Sequence, residues 1–145
     1  MVTKQCGSGN DTLKGSSGKD KLWGGKGHDT LKGGKGNDKL WGDRGNDTLK
    51  GGKGNDSLWG GKGNDTFVFG KNSGKDTVHD FNVKKDTLQI AKGLNGIKKA
   101  SDVLDHATQK GKDVVIDLGK GNKITLKDVK LADLKKHPGD HFDIG

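Results

Sequence analysis

The first half of the chain repeats a single hydrophobic position every nine residues. Each position holds a large apolar side chain between polar or variable neighbours, as in Thr30, Leu31 and Lys32. One inward side chain within such a triplet is the pattern of a three-residue strand. The repeated positions are Leu13, Leu22, Leu31, Leu40, Leu49, Leu58 and Phe67. A period this strict predicts stacked identical turns rather than an ordinary globular core, so we expect an all-β solenoid.

A glycine-rich segment that ends in aspartate separates these apolar positions. The fullest copies read GGKGNDKLW from Gly33 to Trp41 and GGKGNDSLW from Gly51 to Trp59. Glycine permits positive φ and close backbone approach, so GGxGxD predicts a tight turn with converging carbonyls, to which the aspartate adds a carboxylate. The periodic aspartates are Asp11, Asp20, Asp29, Asp38, Asp47, Asp56 and Asp65. Oxygen ligands at flexible distances favour Ca²⁺ over Mg²⁺ and over metals that prefer thiolate or imidazole.

This nonapeptide resembles the repeat of a known family. GGxGxDxUx, with U a large apolar residue, is the calcium-binding repeat of the RTX (repeats-in-toxin) proteins, which are bacterial exoproteins that form a parallel β-roll. The resemblance covers Cys6 to Val68 as repeats. It continues to about Leu134, where DTFVFG, GKDTVHDF and KKDTLQI are similar to the C-terminal domain of serralysin-type proteases.

The resemblance implies a division of the chain into three parts. Residues 1–5 would be an N-terminal extension, residues 6–68 a nonapeptide β-roll, and residues 69–145 a β-rich capping and secretion-signal region with a short helix. It also implies coils of eighteen residues with a metal between the turns of neighbouring coils. After Asp65 the phase slips by two residues, and the segment from Ser73 to Asp76 resembles a worn eighth turn.

The implied metal sites lie between aspartates eighteen residues apart. The pairs are Asp11 with Asp29, Asp20 with Asp38, Asp29 with Asp47, Asp38 with Asp56, and Asp47 with Asp65. About five or more Ca²⁺ ions follow. The expected ligands, through carboxylates or backbone carbonyls, are Asp11, Asp20, Gly24, Gly25, Gly27, Asp29, Gly33, Gly34, Gly36, Asn37, Asp38, Gly42, Gly45, Asn46, Asp47, Gly51, Gly52, Gly54, Asn55, Asp56, Gly60, Gly61, Gly63, Asn64, Asp65 and Asp76. Cys6 replaces the first glycine of the first repeat, and Ser16 and Ser17 interrupt the second, so the first site on each side departs most from the pattern.

Composition indicates that the ions are structural. With 27% hydrophobic residues, 27 glycines and a net charge of +8, the chain has the signature of disorder unless a ligand stabilises it. A ligand that binds only the native state adds its binding free energy to stability. The repeat segment is therefore predicted to be largely unfolded without Ca²⁺ and cooperatively folded with it.

The second half reads as strands and one helix. Asp76–Phe81 and Asp86–Ile90 alternate as strands do, and Asp113–Leu118 and Lys123–Val129 predict a hairpin. Ser101 and Asp102 are expected to begin a short helix that ends near Gln109. These elements would close the open end of the roll.

The net charge of this chain is positive, whereas the proteins it resembles are usually acidic. It has 26 lysines, one arginine (Arg44), 19 aspartates and no glutamate. A solvated face, a sequence redesigned toward lysine, or a surface for an anionic polymer each explains this. On eighteen-residue coils Lys14, Lys32 and Lys50 would form a column on one sheet, with tryptophans Trp23, Trp41 and Trp59 in a column on the other. The tryptophan column would serve cross-strand packing, contact with a neighbouring domain, or sugar stacking.

No enzymatic motif stands out. HExxH and GxSxG are absent, and the five histidines show no ligand or triad spacing, so we expect no catalytic activity. No apolar run approaches about eighteen residues and no basic-then-apolar leader opens the chain, which predicts neither a membrane span nor a Sec-type signal. The resemblance implies export by a type I apparatus, for which the terminal Phe142, Asp143 and Ile144 match the signal weakly.

Two non-enzymatic functions follow. The first is a secreted calcium-binding module that folds outside the cell and stabilises a bacterial exoprotein as its C-terminal secretion and folding domain. The alternative is a module that binds an anionic polysaccharide or another polyanion, like the repeat modules of alginate epimerases. No specific nucleic-acid partner is expected.

Overall fold

The computed structural model describes all 145 residues and is mostly β. Its strands are β1 Thr3–Gln5, β2 Thr12–Lys14, β3 Lys21–Lys26, β4 Thr30–Lys35, β5 Lys39–Arg44, β6 Thr48–Lys53, β7 Ser57–Trp59, β8 Thr66–Phe69, β9 Lys75–Val78, β10 Thr87–Ile90, β11 Ala107–Lys110, β12 Asp113–Gly119, β13 Asn122–Leu126 and β14 Phe142–Ile144. The helix α1 spans Leu131–Leu134, and 3₁₀ segments span Leu94–Gly96, Ala100–His106 and Pro138–Asp140. None of the helices is long and apolar enough to cross a membrane.

Successive strands of the repeat region alternate between two parallel sheets. The first sheet has the order β1-β3-β5-β7-β9-β13-β12-β11, and the second has the order β14-β10-β8-β6-β4-β2. Neighbouring strands are in register eighteen residues apart, so Leu22 pairs with Leu40 and Leu31 with Leu49. This arrangement confirms the all-β, parallel β-roll predicted from the period of nine.

The core of the roll is a file of one side chain per strand. Every repeated apolar residue from Leu13 to Phe67 is at most 3% exposed. Residues on either side of these positions are half-buried or exposed, as in the pattern of β5. Each coil therefore buries little apolar surface by itself and depends on the coils above and below.

The strand period lengthens after Asp65 without breaking the sheets. Ser57 pairs with Thr77, twenty residues on, and Thr66 pairs with Thr87, twenty-one residues on. The worn turn at Ser73–Asp76 thus leads into β9 as a coil of the same roll. Both sheets continue beyond residue 68, through β9 in the first and β10 in the second. The domain boundary placed at residue 68 remains a prediction.

In the C-terminal part, β13 joins the first sheet parallel to β9, β12 and β11 follow as antiparallel strands, and β14 joins the second sheet in parallel. The hairpin β12–β13 forms where it was predicted, and β14 pairs with β10 through Leu88 and Phe142. The predicted helix to Gln109 is wrong in its second part, because Ala107–Lys110 pairs with β12 as strand β11. The helical part is the 3₁₀ segment Ala100–His106, in which Asp102 accepts the N–H groups of Lys98 and Lys99.

The three tryptophans form a continuous stack on the outer face of the first sheet. Ring centroids of Trp23 and Trp41 are 4.6 Å apart, and those of Trp41 and Trp59 are 4.8 Å apart. His79 extends the column with its ring 4.2 Å from Trp59. Trp41 and Trp59 each have a ring stacked on both faces, so the column serves cross-strand packing. The stacked faces are closed to a sugar.

Candidate metal centre

The turns of the roll form two stacks, one along each side. The first turn stack comprises residues 6–11, 24–29, 42–47 and 60–65, and the second comprises residues 15–20, 33–38, 51–56 and 70–76. Each turn ends in an aspartate, and all of these except the half-buried Asp11 are buried. The aspartates that are at most 2% exposed are Asp20, Asp29, Asp38, Asp47, Asp56, Asp65, Asp76 and Asp86. Buried carboxylates need partners, because removing a charge from water is costly.

One oxygen of each of these carboxylates has a backbone partner. The N–H of Asp29 donates to Oδ1 of Asp47 at 2.8 Å, and the N–H of Asp47 donates to Oδ1 of Asp65 at 2.9 Å. The same bond joins Asp11 to Asp29, Asp20 to Asp38, and Asp38 to Asp56. The structure therefore places the members of all five predicted pairs in direct contact.

The second oxygen has no partner in five of these aspartates. Oδ2 is buried and accepts no hydrogen bond in Asp29, Asp38, Asp47, Asp56 and Asp65. Each of the five is the second member of a predicted pair. A buried anionic oxygen without a donor is expensive in a protein but is the ligand that a hard cation seeks.

The glycines make room for this oxygen. A Cβ on Gly33 would overlap Oδ2 of Asp38 and the carbonyl oxygen of Gly51 in the next coil. The same holds for Gly42, where a Cβ would meet Oδ2 of Asp47 and the carbonyl of Gly60. Carboxylate and carbonyl oxygens thus converge at Gly24, Gly33 and Gly42. These donors fit Ca²⁺, which takes carboxylate and backbone oxygens in a flexible arrangement.

The stacking of the turns explains why the fourth position of the repeat is also glycine. Gly45 has φ of 116°, and a Cβ there would overlap the carbonyl of Gly27 in the preceding coil. The carbonyl of one turn therefore lies directly against the glycine of the turn in the next coil, and any side chain at that glycine would push the two turns apart.

The environment of these carboxylates opposes their charge in the absence of a cation. Burial, followed by repulsion from neighbouring aspartates, raises the pKa of Asp47 to about 6 and that of Asp65 to about 7. Burial also raises the pKa of Asp56 and of Asp76, with further repulsion from Asp38 acting on Asp56 and from Asp56 acting on Asp76. A bound cation would reverse the direction of these shifts.

A comparison with models of known families finds a match over the repeat region. The model of the RTX calcium-binding nonapeptide repeat, which contains four copies, matches residues 7–40 and 41–78. The chain belongs to the RTX family. A comparison with curated proteins found no significant match.

Two solved structures share the RTX fold of this chain. The AlgE6R2 subunit of the mannuronan C5-epimerase from Azotobacter vinelandii is 25% identical, with a TM-score of 0.66 over 90% of each chain. The extracellular lipase LipA from Serratia marcescens is 21% identical, with a TM-score of 0.55. This alignment covers 99% of the present chain and 40% of the lipase, so the chain spans less than half of that enzyme's length.

The first coil of the second turn stack departs from the RTX pattern. Oδ2 of Asp20 accepts hydrogen bonds from the backbone N–H and the hydroxyl of Ser16. Burial alone would raise the pKa of Asp20, but these bonds and one from the N–H of Val2 lower it. Ser16 thus supplies, from within the same turn, the partner that Oδ2 lacks in the five aspartates named above.

The asparagines of the turns have a role that the sequence did not indicate. The N–H of Asn55 donates to Oδ1 of Asn37, and the N–H of Asn64 donates to Oδ1 of Asn46, both at 2.8 Å. Oδ1 of Asn55 accepts from Lys75 in the same way. The amide oxygens of Asn37, Asn46 and Asn55 therefore hold neighbouring turns together at the exposed rim. A contribution of these residues to a cation would come from their backbone.

Two aspartates near the end of the roll were missed. Oδ1 of Asp86 accepts the N–H of Asp65, and its Oδ2 accepts the N–H of Asn82. Asp80 accepts the N–H groups of Gly60 and Gly61, each at 2.8 Å. The signal for Asp86 was the triplet Asp-Thr-Leu that begins there, which matches the strand entry at Asp11. The longer loop before it concealed that match.

The histidines are dispersed and have structural partners. Nδ1 of His28 accepts the N–H of Asn46, His79 stacks on Trp59, and Nε2 of His141 lies 2.9 Å from the carbonyl oxygen of Lys136. No group of three or more His, Cys, Asp or Glu side chains is arranged to hold a metal. The candidate sites thus consist of aspartate pairs together with backbone carbonyls.

Proposed function

We propose that this chain is an RTX module whose repeat region folds when Ca²⁺ binds between neighbouring turns. The observation that supports it is the set of five buried aspartate oxygens without a hydrogen-bond donor. When bound, Ca²⁺ supplies the positive charge that these oxygens lack. The chain contributes paired carboxylates and carbonyls that glycine allows to converge, and Asp Oδ1 fixes the coil spacing through its bond to the preceding coil.

A calcium titration tests this proposal. We expect calorimetry to give about five ions or more per chain, and circular dichroism of the same sample to show β-structure that appears with calcium and is lost in EGTA. Asp47→Asn should reduce the ion count, whereas Asp105→Asn, at an exposed carboxylate, serves as the matched control. A full β spectrum in EGTA would contradict the proposal.

We further propose that the module is secreted as the C-terminal folding and stabilising part of a bacterial exoprotein. A chain that needs calcium to fold would stay unfolded at the low calcium of the cytosol and fold at the millimolar calcium found outside, where extracellular calcium sites are typically saturated. Membership of the RTX family supports this role, because RTX repeat proteins are typically secreted. Export can be measured in cells with a type I apparatus, comparing the full chain with a variant that lacks Phe142–Gly145. Equal export of the two would remove the proposed role of the terminal residues.

A second candidate is binding to an anionic polysaccharide. The likeness to a mannuronan C5-epimerase subunit over 90% of both chains and the excess of lysine support it. Retention on an immobilised acidic polysaccharide, with and without calcium, tests it. Absence of retention in calcium would remove this candidate and leave the calcium-dependent fold and the secretion role as they stand.

A further inference from the structure

The outer face of the second sheet carries a groove lined by lysines. The groove has a volume of about 440 Å³ and crosses β4, β6 and the turn after β8. The lysines that line it are Lys32, Lys35, Lys50, Lys53 and Lys71, and all five are exposed. The floor includes Gly34, Gly52 and Gly70, and the two remaining lining residues are Val68, the single hydrophobic one, and Ser73. We call this feature the lysine groove.

The lysines form two parallel rows along the axis of the roll. Lys32 pairs in register with Lys50, and Lys35 with Lys53. Successive strands in a sheet are about 4.8 Å apart, so the in-register lysines of one row follow one another at about that spacing. Lys32 and Lys35 are three residues apart on one strand, which places the rows about 10 Å apart. The groove therefore presents charge on both sides of a straight, repeating track.

These charges have no acidic partners on the protein. The single ion pair of the molecule joins Lys127 to Asp113, far along the chain from the groove. A second basic groove on the first sheet differs, because Asp43 lies among Lys26, Arg44 and Lys62 there. Each Ca²⁺ bound in the adjacent turns would add two further positive charges. The lysine groove is therefore the surface where an external anion gains most.

The shape of the groove selects among anions. Each coil adds one lysine to each row, so the rows match a linear polymer with a regular anionic repeat better than they match a compact anion. Proteins that bind single-stranded nucleic acid combine a basic groove with aromatic side chains on which the bases stack, and the lysine groove contains no aromatic residue. The tryptophans lie on the opposite sheet and their inner faces are covered. An acidic sugar chain needs no such platform.

We propose that the lysine groove binds a linear acidic polysaccharide that lies along the axis of the roll, with carboxylates facing both rows of lysines. This rests on the proposed calcium-dependent fold, which assembles the rows, and it gives the second candidate function a location. Because the polymer binds the folded roll, calcium strengthens polymer binding, and by linkage the polymer lowers the calcium concentration needed for folding.

Two charge-matched triple variants test the proposal. Lys32→Gln, Lys50→Gln and Lys71→Gln remove three lysines from the groove, whereas Lys21→Gln, Lys39→Gln and Lys62→Gln remove three exposed lysines of the first sheet. Both lower the net charge from +8 to +5. The probe is an oligogalacturonate too short to gel with calcium, with a neutral malto-oligosaccharide, polyphosphate and poly(dT) as comparison ligands. Circular dichroism in calcium establishes that each variant is folded.

We expect the groove variant to lose affinity for the oligogalacturonate about tenfold or more, and the first-sheet variant to lose about twofold or less. Equal losses in two folded variants would overturn the proposal and leave the calcium-dependent fold intact. Tighter binding of polyphosphate or poly(dT) at the groove would overturn the choice of polysaccharide. A parent chain that does not fold in calcium would overturn the groove and the proposed function together.

Discussion

In the coils from Leu13 to Phe67 the core is one apolar side chain per strand, whereas beyond Phe69 it is a packed cluster drawn from several elements. The buried apolar residues of the C-terminal part include Ile97, Val103, Val114, Ile116, Leu118, Ile124, Leu126, Val129, Leu134 and Phe142. The difference extends to charge. The repeat region buries carboxylates with an unpartnered oxygen, whereas Asp113 of the C-terminal part is partly exposed and paired with Lys127. We therefore expect the repeat coils to depend on a cation and the C-terminal part to depend on apolar packing.

The largest expected effect is the loss of the repeat coils when calcium is removed. Amides between residues 20 and 66 should exchange rapidly in EGTA, because their coils bury little apolar surface and retain uncompensated carboxylates. Amides of β12 and β13 should stay more protected. Hydrogen exchange resolved by residue measures both regions in one sample. Uniform protection in EGTA would erase the contrast between them.

The pH should act on the metal-free repeats in an unusual direction. Burial raises the pKa of Asp47 to about 6 and that of Asp65 to about 7, above the unfolded value of about 3.9. Their contribution to the stability of the metal-free fold is therefore fully present below about pH 4 and is lost as pH rises through about 6 to 7. Circular dichroism in EGTA should show more β-structure near pH 4.5 than near pH 7.5.

Asp113 in the C-terminal part responds to pH in the opposite direction, but below the pH range of that experiment. Hydrogen bonds from the N–H of Asp128 and from Lys127 lower the pKa of Asp113, so its contribution is present above about pH 4 and is lost below it. Loss of β-structure on acidification from pH 7.5 to 4.5 would contradict the buried carboxylates as the dominant groups.

Core truncations should separate the two regions by their response to calcium. Leu40→Ala and Ile116→Ala each remove a side chain that is 0% exposed and should each cost about 2–5 kcal/mol of unfolding free energy. Leu40→Ala should raise the calcium midpoint for folding, because the coil must then draw more of its stability from the ion. Ile116→Ala should reduce stability in EGTA as well. Equal calcium midpoints for the two variants would show that one cooperative unit covers both regions.

Replacing one aspartate at a time should distinguish turns with an unpartnered carboxylate oxygen from the turn in which Ser16 satisfies it. Asp47→Asn should cost one bound ion, because Oδ2 of Asp47 has no other partner. Asp20→Asn should leave the ion count closer to that of the parent, since Ser16 already donates to Oδ2 of Asp20. Calorimetric stoichiometry compares them. The same loss in both variants would mean that the bond to Ser16 gives way when calcium binds.

The smallest effect concerns the aromatic column. Trp41 stacks on two rings and Trp23 on one. Trp41→Leu should therefore destabilise the calcium-bound fold by about 1 kcal/mol more than Trp23→Leu does. Thermal unfolding in calcium measures the difference. Identical melting temperatures would indicate that the rings contribute area and no stacking energy.

The sequence predicted the roll well because each nine-residue unit specifies its own conformation. Gly33 and Gly34 fix a turn, Asp38 ends it and Leu40 marks the inward position, with no reference to distant residues. The same reasoning reached β12 and β13, whose alternation flanks the loop at Lys120 and Gly121. It failed at Ala107–Lys110, because pairing with β12 overrides the local preference that continued the helix from Ser101.

The candidate site shows the same division. The five aspartate pairs followed from the period and the family resemblance, but the partner of each oxygen did not. That Oδ1 of Asp47 is occupied by Asp29 while its Oδ2 is free depends on the distance between coils. That Oδ2 of Asp20 is satisfied depends on the path of the backbone at Ser16.

By itself, then, the amino-acid sequence determined the coil, the inward leucines and the aspartates that face each other, because these are repeated and local. The tertiary structure decided which carboxylate oxygens lack a donor, how β14 reaches β10, and where unpaired lysines meet across β4, β6 and β8. Those features arise from contacts between segments far apart in the chain. Their energies depend on burial and on distances that no local pattern encodes.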